Sequence, residues 1–145
     1  MAKPNELTAH FSWDEVKCRC CGTIGGPAVE ANAKRLALML EQTRAFYGHP
    51  MPVSSWYRCP EHNRKVGGVP NSYHLEGLAA DIRVPSSERR FLLVRAAIQA
   101  GFTRIGVYEN FVHLDLGPSP APAMWLGVAK TQHRKAQVDG NVLRS

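Results

Sequence analysis

The sequence predicts an α+β domain, a small antiparallel sheet packed with helices. Two observations carry this. Apolar residues recur at three- and four-residue spacing from Pro27 to Gly48 and again from Ser86 to Ala100, the signature of amphipathic helices. Four short runs, "MPVSSWY", "LAADIRV", "RIGVYE" and "FVHLDL", read as strands and do not alternate regularly with the helices. At 145 residues the chain can build one hydrophobic core but not two comfortable ones.

The elements follow in order. Ser12 and Glu15 have capping-box spacing, so a short helix starts near Trp13. The Cys- and Gly-rich "CRCCGTIGGP" stops it. Pro27 suits a first helical turn. From there Val29, Ala33, Leu36, Leu40 and Thr43 form one face, widened by Met39 and Phe46, and Gly48 ends the helix. "MPVSSWY" is a short strand. "RCPEHNRKVGGVPN" allows a single helical turn after Pro60 and then becomes a loop punctuated by glycine and proline. "LAADIRV" is a buried strand. Ser86 or Ser87 caps the next helix, which Gly101 follows. "RIGVYE" and "FVHLDL" are strands joined by a turn near Asn110. Residues 1–118 are expected to be a single domain, and residues 119–145, rich in Pro, Ala and polar residues, a surface or partly disordered tail. No internal repeat is visible.

No apolar run approaches the roughly 20 residues of a membrane span. The first residues lack the apolar stretch of a signal peptide, so synthesis and retention in a cytoplasm are expected unless another system exports the protein. The net charge of +6 favours anionic partners such as nucleic acid, acidic lipid or cell wall, without choosing among them.

Two strands carry polar residues where apolar ones belong. Asp81 lies inside "LAADIRV", where an unpaired carboxylate is costly to bury. A cation beside it removes that cost. It is either a metal ion or an arginine, with Arg83 and Arg104 the candidates. His113 and Asp115 alternate with Val112, Leu114 and Leu116, so strand periodicity puts both on one face. His74 ends a polar loop seven residues before Asp81, with Gly77 allowing a turn between them. His74, Asp81 and His113 can therefore meet at a point, and two imidazoles with a carboxylate are the donors of an open zinc site. His10, His49 and His133 read as surface residues.

"SYHLEGLAAD" matches a Ser-x-His-x-x-Gly-x-Ala-x-Asp pattern. With "SSWYRCPEHNRKVGG" upstream and "GVYENFVHLDLGP" downstream, it resembles the zinc D-Ala-D-Ala carboxypeptidase family. That family includes phage L-alanyl-D-glutamate endopeptidases and shares its fold with the hedgehog signalling domain. The resemblance covers residues 11–118. Trp56 stands where the family usually has glycine. The resemblance implies one catalytic zinc on His74, Asp81 and His113, polarising the scissile carbonyl and activating water. It implies that Arg58 faces the substrate and stabilises the oxyanion, and that Ser72 lies near the substrate carboxylate. A salt bridge is the alternative for Arg58, and a turn for Ser72. Several family members carry an acid three residues before the last histidine, but that position here is Asn110. Glu109 is the favoured general base and Asp115 the second choice. The alternatives are a solvated turn residue for Glu109 and a carboxylate orienting a ligand histidine for Asp115. His62 and Glu76 come next as bases.

Cys18, Cys20, Cys21 and Cys59 have three readings. Cys59 and His62 have the C-x-x-H spacing of half a structural zinc site, and the cluster can supply the other half. A disulfide between the cluster and Cys59 is the second reading, and reduced thiols the third.

The resemblance implies a zinc peptidase acting on the stem peptides of peptidoglycan. Such an enzyme would be a phage or prophage wall hydrolase, released to the wall or carried in the virion. The alternative is a catalytically inactive binding or virion structural module that keeps the fold. Nucleic-acid binding lacks support, because neither zinc-finger spacing nor interleaved aromatic and basic residues are present. A monomer is the simplest oligomeric expectation.

Overall fold

The computed structural model describes residues 5–119 and 121–127. Ser12 opens α1 (Trp13–Val16) with the expected capping box, its amide donating to Glu15 Oε1 at 2.9 Å. Pro27 occupies the first turn of α2 (Pro27–Tyr47), which Gly48 closes. The buried stripe of α2 is Ala33, Leu36, Ala37, Leu40, Thr43 and Tyr47. Phe46, expected to widen that face, points outward, because position 47 rather than 46 continues the 36–40–43 spacing. The turn after Pro60 extends to a short helix, α3 (Pro60–Lys65), and a 3-10 turn at Tyr73–Glu76 emerges from what the sequence reads as loop. Ser86 caps α4 (Ser87–Ala100) by accepting from the Arg89 amide at 3.2 Å.

The strands are β1 (Val53–Ser55), β2 (Ala79–Arg83), β3 (Arg104–Val107), β4 (Phe111–Asp115) and β5 (Ala123–Leu126), in the order β1-β2-β4-β3-β5. The first four pair antiparallel, as expected. β5 departs from the expectation. It lies in the stretch read as tail, and it pairs parallel with β3, so the sheet is mixed. After β4 the chain passes to the far side of β3 and runs there in the same direction. The tail beyond it, residues 128–145 with His133, lies outside the described residues.

One face of the sheet closes the core. Ala80 and Ile82 of β2, Val112 and Leu114 of β4 and Ile105 of β3 are buried with Leu36 and Leu40 of α2 and Leu93 and Ala97 of α4. Each such leucine or isoleucine contributes about 1.5–3 kcal/mol by leaving water. The opposite face is polar at its centre. Register places Ser55, Asp81, His113, Gly106 and Trp125 in one row across all five strands. Gly106 makes this row possible, since a Cβ there would meet Trp125 Nε1 at 2.6 Å. Among the described residues, no helix is long and apolar enough to cross a membrane.

Candidate metal centre

The sheet supplies two of three converging donors, and a turn supplies the third. Asp81 and His113 are direct cross-strand partners on β2 and β4, with Asp81 Oδ1 3.0 Å from His113 Nδ1. His74 comes from the 3-10 turn. Ser72 caps that turn by accepting from the His74 amide at 3.1 Å, and Gly77 ends it at φ +74°. His74 Nε2 lies 3.3 Å from Asp81 Oδ1. The candidate ligand atoms of His74, Asp81 and His113 all lie within 4.8 Å of one another, and all three residues are buried.

The outward nitrogen of each imidazole is already engaged. His74 Nδ1 lies 2.6 Å from the Trp56 carbonyl, which as an acceptor fixes the proton on Nδ1. The lone pair of Nε2 then faces the cluster, and this buried atom has no hydrogen-bond partner. His113 Nε2 lies 2.8 Å from Asp115 Oδ2, which leaves Nδ1 to face Asp81. Two imidazoles held by partners on their far sides, a carboxylate between them and an orphaned buried nitrogen make a donor set that fits zinc.

Charge at the cluster follows from these contacts. Burial opposes ionisation of Asp81, yet His74 and His113 hold its carboxyl far below the usual range. Burial pushes His74 down, toward the neutral imidazole that a metal requires. Burial also penalises charged His113, but the Asp115 and Asp81 carboxylates outweigh this and raise it. Asp115 is held low despite burial by His113, Arg104 and the Gly117 amide.

Several expected site residues join this cluster. Arg58 is nearly buried and sends Nη2 to Asp81 Oδ2 at 3.4 Å, Nε to Ser55 Oγ at 3.2 Å and Nη1 to Asn63 Oδ1 at 3.1 Å. It is therefore the arginine beside Asp81. Arg83 is exposed, and Arg104 pairs with Asp115 at 2.6 Å. Both oxygens of Asp115 are occupied: Oδ1 by Arg104 Nε and the Gly117 amide, Oδ2 by His113. Glu109 lies in the exposed turn between β3 and β4, its carbonyl accepting from Arg90 Nη1 at 2.8 Å. It is three residues beyond Gly106 and two past the end of β3. Glu76 is exposed.

The match of the chain to a family model decides the class: residues 9–115 match the model described as Peptidase M15. The chain belongs to the peptidase M15 family. M15 peptidases are zinc-dependent metallopeptidases, and the motif resemblance pointed to this family. No curated protein matches the chain in a sequence comparison. The M15 match spans every residue of the candidate centre.

Sequence reasoning missed the supports of this M15 centre. Trp56, noted only as a departure from glycine, offers its carbonyl to His74 and its indole N–H to the Gly77 carbonyl at 3.0 Å. Asn63 is buried against Arg58. Trp125 lies with its ring centroid 5.5 Å from that of His113. Asn63 carried a weak signal, as a polar residue one position after a C-x-x-H. Trp125 carried only its size.

Proposed function

We propose that this chain is a zinc peptidase that hydrolyses a peptide bond in peptidoglycan stem peptides, as a phage or prophage wall hydrolase. The observation that carries the reading is the oriented triad. His74 Nε2, Asp81 Oδ1 and His113 Nδ1 converge, while the Trp56 carbonyl and Asp115 occupy the spare imidazole nitrogens. Family membership supports the metal and the reaction class. The wall substrate rests on the motif resemblance and on the net positive charge, which would help the protein dwell on an anionic polymer.

His74, Asp81 and His113 would hold a zinc ion, which would supply a Lewis acid for the scissile carbonyl and lower the pKa of a bound water. The protein's own groups do the rest. Arg58, fixed by Ser55, Asn63 and Asp81, keeps a guanidinium beside the ligands, where negative charge develops on the carbonyl oxygen. Both oxygens of Asp115 are engaged, Oδ1 twice and Oδ2 by His113, and these contacts support an orienting function on His113. That leaves Glu109 as the carboxylate we assign to proton transfer. It lies in a turn, and substrate binding would have to bring that turn toward the metal. Ser72, buried beside His74, is assigned to the substrate carboxylate in addition to its capping bond.

The test is incubation of the purified protein with peptidoglycan, with and without a chelator. New amino groups without new reducing sugar ends, abolished by the chelator and restored by zinc, are expected. Free D-alanine identifies a carboxypeptidase, and longer peptides an endopeptidase. Reducing ends without amines would overturn the reading. Zinc binding without any cleavage would instead support an inactive binding module.

A further inference from the structure

A second group of potential metal donors lies outside the peptidase centre. Cys18, Cys21 and Cys59 bring their sulfurs within 4.8 Å of one another, although Cys59 is 41 residues from Cys18. Cys20, which the sequence offers equally, is not part of the group. We propose that Cys18, Cys21 and Cys59 form a structural thiolate site for zinc, completed by His62, which clamps the segment carrying Trp56 and Arg58. This goes beyond the peptidase reading and does not depend on it.

Three features carry the proposal. The first is the turn. Cys18-Arg19-Cys20-Cys21-Gly22 closes on itself through the Gly22 amide to the Cys18 carbonyl at 2.8 Å and the Cys18 amide to the Thr23 carbonyl at 2.8 Å, with Gly22 at φ +71°. This C-x-x-C-G turn puts two thiols on one side, the spacing of half a tetrahedral site.

The second is what the buried sulfur accepts. The amide of Cys59 points at Cys18 Sγ at 3.4 Å. A neutral thiol is a weak acceptor, whereas an amide aimed at a sulfur stabilises a thiolate. Donors aimed at a ligand sulfur are the usual outer support of a thiolate metal site.

The third is the helix that brings the other half. Cys59 is the N-cap of α3 and accepts from the His62 amide at 3.4 Å. N-cap and N3 side chains face each other across the first turn, as in a capping box, so His62 can turn its ring toward the sulfurs. Zinc with three thiolates carries a net negative charge. Arg19, Arg58 and Lys65 lie close enough to act on His62 and would offset that charge.

The placement gives the site a purpose. The Tyr57 amide bonds to the Val16 carbonyl at 3.0 Å and the Arg58 amide to the His74 carbonyl at 3.0 Å, while the Trp56 carbonyl holds His74 Nδ1. An ion joining Cys18 and Cys21 to Cys59 ties this segment to the end of α1. It acts as a positioning element for Arg58 and for His74, not as a reaction centre.

The experiment is cobalt substitution of the full chain under reducing conditions, read by absorption, together with zinc content by metal analysis. Thiolate-to-cobalt charge transfer in the near ultraviolet reports cysteine ligation, and the His74, Asp81 and His113 centre has no thiolate to produce it. The band is expected in the wild type and in Cys20→Ser. In Cys21→Ser it is lost, along with one equivalent of zinc, while the far-ultraviolet circular dichroism and gel-filtration volume of the wild type are kept, which shows that the variant folds. His62→Ala should keep the band but release cobalt to a chelator more readily. No band in the reduced wild type would overturn the site, as would a disulfide within the trio in anaerobically purified protein. A band lost in Cys20→Ser and kept in Cys21→Ser would overturn the ligand assignment. Unchanged cobalt retention in His62→Ala would remove His62 from it.

Discussion

Asp115 Oδ2 lies 2.8 Å from His113 Nε2, and the other oxygen of the same carboxylate is held by Arg104 at 2.6 Å. The three residues form a chain from the rim of the sheet to the candidate metal centre. An imidazole whose far nitrogen is tied to a carboxylate is fixed in tautomer and angle and is a more basic ligand. Asp115→Asn keeps the shape but removes the charge. It is expected to weaken zinc binding by about 10–100-fold. Competition against a chromogenic chelator measures this. Unchanged affinity would show that Asp115 does not orient His113.

Glu41 ties the N-terminal segment to α2. Its carboxylate accepts from Thr8 Oγ1 at 2.7 Å and from the His10 amide at 2.6 Å, and meets His10 Nδ1 at 2.7 Å. Burial pushes its pKa up, but these contacts outweigh burial and hold it below the ordinary value. A carboxyl with a depressed folded pKa stabilises the fold above its unfolded pKa, about 4.3 for glutamate, and loses that contribution as pH falls through the folded value. The wild type should therefore lose stability on acidification below about pH 4.3 more steeply than Glu41→Gln. Denaturant midpoints of both proteins from neutral pH downward test it. Parallel curves would exclude the linkage.

Gly77 holds the turn that delivers His74. At φ +74° a side chain is strained, and a Cβ would meet Val29 Cγ1 at 2.8 Å and the Val29 carbonyl at 2.9 Å. Gly77→Ala is expected to cost at least about 1–2 kcal/mol from the left-handed conformation alone. The steric contact adds to this. Because the turn also sets His74, zinc affinity should fall together with the thermal midpoint. A stable variant with normal zinc binding would mean that the turn can relax without moving the ligand.

How much of this was legible depends on the range of the interactions. The capping box at Ser12, the stripe of α2 and the shared face of His113 and Asp115 are local periodicities, and the sequence shows them directly. The convergence of His74, Asp81 and His113 could be anticipated because an aspartate inside an apolar strand demands a partner. β5 could not. "AMWL" has no polar alternation, Met124 and Leu126 remain exposed, and the strand exists because β3 offers an edge and Gly106 leaves room for Trp125. The Trp56 carbonyl is invisible for a similar reason. A backbone acceptor has no residue signature, so the support of His74 could be seen only once the chain was folded.

The identity of the proton-transfer group is the sharpest remaining test. A zinc peptidase needs a group that takes a proton from the attacking water and passes it to the leaving amine, and such a group contributes about 10²–10⁴-fold. Asp115 is spent on Arg104, His113 and Gly117. Asn110 has no basic oxygen to offer. Glu109 is a carboxylate on a surface turn, so it can move. Glu109→Gln should keep zinc content and thermal midpoint, because no described partner of its carboxylate is lost. It should lower turnover on peptidoglycan by about 10²–10⁴-fold. A variant that is merely misfolded would lose zinc as well, so metal analysis separates the two outcomes. Full activity in Glu109→Gln, with zinc-loaded but inactive Asp115→Asn, would reverse the assignment. It would mean that the carboxylate beside His113 exchanges its partners during turnover.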